Sequence, residues 1–82
     1  MAYRVDESIT SAIDLWIHHG IEPGSCTMLL LEGKYEEAFL HAHPLIKPHW
    51  QDHIDYVEKH VPKECRGENM EAWKEKKRKE SD

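Results

Sequence analysis

Apolar positions along this chain return every three or four residues and nowhere alternate strictly. That is the period of helices packed by one face. Ile9, Ile13, Trp16 and Ile17 form the first stripe, which predicts a helix over about residues 6–19 with Asp6 or Ser8 as its N-cap. Gly20 is placed to end it in a left-handed conformation, with Ile21 packing back and Pro23 forbidding continuation. After the turn Glu22-Pro23-Gly24-Ser25, Ser25 is expected to cap a short helix from Cys26 to Glu32, whose Met-Leu-Leu-Leu run is too apolar to face water. Gly33 ends that helix and a third begins, with Tyr35, Ala38, Phe39 and Ala42 inside and Glu36 and Glu37 suiting the positive end of its dipole.

Pro44 and Pro48 then punctuate the chain, since proline is tolerated only in a helix's first turn. The fourth helix is expected from about Pro48 to His60. Ile46, Trp50, Ile54, Val57 and Val61 share its inner face, with Asp52, Asp55, Glu58 and Lys59 outside. Pro62 stops it, Lys63 to Asn69 form a turn, and a polar helix from about Glu68 to Lys79 completes the pattern, anchored by Met70 and Trp73. There is no internal repeat. The pattern predicts an all-α protein, a compact and oligomeric bundle of four to five short helices. Residues 1–67 would form the bundle domain and 68–82 the polar C-terminal helix.

Length sharpens the oligomer expectation. With 82 residues, a domain buries only about 60–65% of its unfolded surface, and self-association commonly supplements so small a core. The net charge is −5. Residues 1–60 hold four Lys/Arg against ten Asp/Glu, whereas the last 22 hold seven basic and six acidic side chains. An acidic globule disfavours nucleic acid, which demands several phosphates neutralised together, so no DNA or RNA partner is expected. The cluster Lys-Glu-Lys-Lys-Arg-Lys-Glu reads as the solvated end of a helix. No apolar run approaches the roughly 20 residues of a membrane span, and the opening residues lack a signal-peptide core. A cytoplasmic protein with Cys26 and Cys65 as free thiols is expected.

The chain has seven histidines. His49 and His53 share a helix face, His41 and His43 precede them, and Cys26 or Cys65 offers a thiolate, but neither cysteine has a partner two to four residues away. No metal or other cofactor is expected. A Cys–His nucleophile would further need an orienting group and an oxyanion hole, and no catalytic motif marks them, so we expect no enzyme. Two turns are better candidates. Gly24, Ser25 and Cys26 open a helix with unpaired amides, the usual geometry for an anion, although the more frequent state of such a turn is Ser25 capping its own helix with nothing else bound. Arg66 and Gly67 form the second turn, where the guanidinium suits phosphate or a base face, or is simply exposed on a connector. Tyr35 and Trp73 offer π-faces. Trp73 stands in a polar helix with few apolar companions, which suits a lone anchor, a subunit contact or a ligand contact.

From about Ile13 to Trp73 the order of these features resembles a family of short proteins encoded by bacteriophages and prophages. The matching residues are His19, Gly20, Ile21, Pro23, Gly24 and Ser25, then Leu31, Glu37, Ala38, Ala42, Pro62, Cys65, Gly67 and Trp73. Members of that family often carry an aromatic residue where this chain has Cys26 and Arg66. The family is mostly of unassigned activity, so the resemblance implies a context and not a mechanism: a small protein in a host cytoplasm acting by occupancy. The leading expectation is a counter-defence protein that sequesters a host immune signalling nucleotide, of the cyclic dinucleotide or cyclic ADP-ribose type, without cleaving it. Its ligand-binding residues would be Gly24, Ser25, Cys26, Tyr35, Arg66, Gly67 and Trp73, in a pocket shared between subunits. The alternative is a protein-interaction module that inhibits a host protein through a helix face.

Overall fold

In the computed structural model, which describes residues 4–81, every regular element is helical. The first three residues and Asp82, which belong to the two predicted segments, lie outside the described residues. Helix α1 spans Glu7–His19, α2 Ser25–Leu31, α3 Tyr35–His41, α4 Trp50–His60 and α5 Met70–Ser81. Short 3₁₀ turns at Lys47–His49, Lys63–Cys65 and Gly67–Asn69 lead into α4 and carry the chain from α4 to α5.

Asp6 starts α1, as its spacing predicts. Its Oδ1 accepts the Ser8 amide at 2.9 Å and the Ser8 hydroxyl at 2.5 Å. The hydroxyl bond first, and then the amide bond, hold the Asp6 carboxyl below its ordinary range. A carboxyl lowered on folding stabilises the protein above its unfolded-state range, and that contribution is lost as pH falls through the folded value. Asparagine also caps well but does not titrate. Asp6→Asn is therefore expected to leave neutral-pH stability nearly unchanged and to flatten the acid limb of stability against pH. Thermal unfolding followed by circular dichroism from neutral into acid pH checks this.

One continuous core unites the helices. Ile9, Ile13 and Trp16 come from α1, Leu30 and Leu31 from α2, Ala38 from α3 and Val57 from α4, joined by Ala42, Ile46, Val61 and Cys65 from the connections. Met70 and Trp73 anchor α5 in this same core. α2 and α3 pair most closely, α1 lies against α2 and α5, and α2 also meets α4. Two indoles stitch distant segments together. Trp16 Nε1 donates to the Cys65 carbonyl at 2.7 Å, and Trp73 Nε1 donates to the Trp16 carbonyl at 3.1 Å. Lys74 pairs with Glu22, tying α5 to the loop after α1.

Several predicted details are corrected. Ser25 is the first residue of α2 and not its cap. Gly24 caps the helix with an extended backbone and no side-chain bond. The fourth helix begins as a 3₁₀ turn around Pro48, and α-geometry starts at Trp50. Ile21 does not pack back. Its amide reaches the Leu15 carbonyl at 3.4 Å, while its side chain stays 52% exposed. Phe39, assigned to the inner stripe, lies at the surface edge, and Trp50 and Ile54 are half-buried. The last helix starts at Met70, because Gly67–Asn69 forms its own 3₁₀ turn.

His53 is buried within the fold, at 1% exposure. Its Nδ1 pairs with the His49 carbonyl at 2.8 Å, and its Nε2 accepts the Asp6 amide at 3.3 Å. Those partners specify the neutral Nδ1–H tautomer, since an amide N–H needs an acceptor opposite it. The ring also stacks on Trp50, with centroids 5.7 Å apart. Both nitrogens are thereby satisfied, which is what makes the burial tolerable.

Candidate functional site

Arg66 and Gly67 line a cavity of about 520 Å³ together with Lys63, Asn69, Glu32, Glu68, Leu31 and Gly33. The cavity arises where the end of α2 meets the turns before α5. Arg66 turns back on α4: its Nε donates to the Val61 carbonyl at 3.1 Å, and its Nη2 to the Glu58 carbonyl at 3.4 Å. Helix C-termini leave carbonyls without intrahelical partners, and the guanidinium supplies donors to them. Asn69 Nδ2 braces the same turn through the Lys63 carbonyl at 3.0 Å. Glu32 is paired with Lys34 at 3.3 Å.

Tyr35 stands beside this group. Its hydroxyl meets Glu58 Oε1 at 3.4 Å. Burial raises the phenol above its ordinary pKa, Glu58 adds to this, and the neighbouring Arg66 pulls the other way. The Tyr35 ring lies in a second concavity, an apolar groove of about 450 Å³ between α3 and α4 that includes Glu36, Phe39, Leu40, Trp50 and Ile54.

The remaining candidates lie elsewhere. Gly24, Ser25 and Cys26 open α2, whereas Leu31 at its other end reaches the Arg66 cavity. The seven residues of α2 separate the two places by roughly 10 Å of helix rise. Cys26 instead faces a cavity of about 440 Å³ with Asp6, Ser8, Ile9, His41, His43, Leu45 and Ile46. Trp73 does not present an open π-face. It is 9% exposed, bonded to Trp16, with the ammonium groups of Lys76 and Lys77 5.0 and 4.8 Å from its ring centroid. Of the seven predicted contacts, only Arg66 and Gly67 share a cavity; Tyr35 has its hydroxyl near Arg66 but its ring in the α3–α4 groove.

Neither thiol is activated. Cys26 Sγ donates to the Ala38 carbonyl at 3.5 Å, and burial pushes both cysteines above the ordinary thiol range. At Cys65, Glu64 adds to the rise while Lys77 and Lys76 oppose it. A raised thiol is mostly protonated near neutral pH and a poor nucleophile. Among the described residues no three His, Cys, Asp or Glu side chains are placed to hold one metal ion, and no helix is long and apolar enough to cross a membrane.

Lys63 and Asn69 were absent from the predicted site, although both fall in the segment containing Arg66. Their only sequence signal is that proximity. His53 had a stronger one, because it lies on the same helical stripe as Trp50, Ile54 and Val57. Comparison with protein-family models, with curated proteins and with solved structures finds no match to this chain.

Proposed function

We propose that the protein is a nonenzymatic phage binding protein that sequesters a small phosphorylated nucleotide signal of its host, of the cyclic dinucleotide or cyclic ADP-ribose type, and releases it uncleaved. One observation carries the reading: Lys63, Arg66, Gly67 and Asn69 border a single cavity of about 520 Å³, and ligand pockets commonly span about 300–1,000 Å³. The α4 carbonyls hold Arg66 in place before any ligand arrives, and preorganised donors lose less freedom on binding.

Charge in the cavity is mixed. Glu68 and Glu32, the latter paired with Lys34, face the same space as Lys63 and Arg66, so they oppose an anion that the cations attract. Glu68→Gln is expected to tighten nucleotide binding and Lys63→Ala to weaken it, each by roughly tenfold, equivalent to about 1.4 kcal/mol. Calorimetric titration of a panel of cyclic nucleotides measures both effects. Heating the complex and weighing the released nucleotide by mass spectrometry tests the absence of cleavage. No heat from any nucleotide defeats the proposal, and an altered product replaces it with an enzyme.

A second reading, inhibition of a host protein through a helix face, is favoured by the exposure of Leu40 at the α3–α4 groove. Nucleotide titrations without heat, together with one host protein captured in a pull-down, would select it.

A further inference from the structure

The α3–α4 groove has a direction. Tyr35 at the start of α3 meets Glu58 near the end of α4, and Phe39 near the end of α3 meets Trp50 at the start of α4, with ring centroids 5.7 Å apart. The two helices therefore run in opposite senses along the groove. Glu36 lines the groove at the Tyr35 end, where Glu58 has Arg66 beside it. At the other end Lys47 Nζ stands 5.1 Å from the Phe39 ring centroid. Between them Tyr35, Phe39, Trp50 and Ile54 form an apolar floor, and Leu40 rises on the lip at 76% exposure.

A knob beside a hollow, with opposite charges at its two ends, is complementary to itself under a two-fold rotation. The geometry points to a second copy of this chain as the occupant of the groove, forming an isologous dimer in which each Leu40 enters the partner copy's groove. The rotation reverses the groove's direction, so Glu36 of each copy faces the Lys47 end of the other. In a molecule of 40 × 25 × 18 Å, the pairing has to bury about 600 Å² per chain to reach the lower range of stable pairs. A foreign helix has no such reciprocal requirement. Here the hollow, its knob and both charges lie on one chain, as an isologous contact demands.

Sedimentation velocity over a concentration series, without nucleotide, tests this pairing independently of the ligand reading. A dimer of the 9.7 kDa chain is expected. Leu40→Glu should give a monomer with an unchanged helical spectrum, because the side chain it replaces is largely in solvent. Glu36→Lys and Lys47→Glu should each weaken pairing by roughly tenfold through like-charge apposition. The double reversal should restore it, a reciprocity that general loss of stability does not produce. A wild-type monomer at millimolar concentration overturns the proposal, whether or not a host protein binds the face. So does a dimer indifferent to Leu40→Glu, or a double reversal no tighter than its single variants.

Discussion

Trp16→Ala is expected to leave the chain largely unfolded at room temperature. The indole is 1% exposed and sits at the junction of α1 with the turn before α5. Truncating a buried tryptophan costs about 3–5 kcal/mol, and a domain near this size often has little more than that in total. Phenylalanine separates the two components of the loss. Trp16→Phe keeps most apolar contact but takes the donor from the Cys65 carbonyl, so a cost of about 1–3 kcal/mol is expected. At Trp73 the same change should cost less, because the Trp16 carbonyl also accepts the Gly20 amide at 2.9 Å. Urea unfolding followed by circular dichroism ranks the three variants. Trp16→Phe as stable as wild type would show that the indole link does not hold the core together.

Gly20→Ala should be the most damaging alanine substitution among the turn glycines, at about 2–4 kcal/mol. Two independent costs meet there. The backbone is left-handed, with φ 67°, and an added Cβ would lie 2.7 Å from Cβ of Lys77 on α5. Lys77 Cβ is fixed to the α5 backbone, so relief requires α5 to move away from α1. Gly33 has φ 85° but nothing within 4 Å of an added Cβ. Gly33→Ala should therefore carry only the conformational cost, about 1 kcal/mol. Equal losses at the two positions would show that the approach of α5 to Gly20 contributes nothing to stability. Paired thermal and urea unfolding curves measure the difference.

The helix order, the stops at Gly20, Gly33 and Pro62, and most of the apolar stripes are readable along the chain, although Phe39 lies at the surface edge and Trp50 and Ile54 are half-buried. These features depend on contacts within a turn or two, where φ preferences, caps and a 3.6-residue period act locally. The alternative caps for α1 were also visible, and the structure selects Asp6. Capping and first-turn positions favour overlapping residue types, so the local pattern points to Ser25 as the cap, whereas the extended backbone of Gly24 moves the boundary by one residue.

The candidate site was only partly readable. Arg66 and Gly67 drew notice as a turn, but nothing local indicated that α2 would bring Leu31 and Glu32 to them while holding Ser25 and Cys26 at its far end. Trp73 looked isolated because its helix is polar, yet its partner is the main chain of Trp16, 57 residues away.

The sequence by itself determined an all-α chain, its helix stops and most of the side chains that its core would need. Tertiary structure decided which stripes meet, that Trp73 is an internal brace, that Arg66 is fastened to α4, and that Leu40 and Leu45 remain outside. The physical reason is range. Backbone preferences reach about four residues along a helix, whereas a cavity or an exposed face is defined by segments brought together across the whole chain.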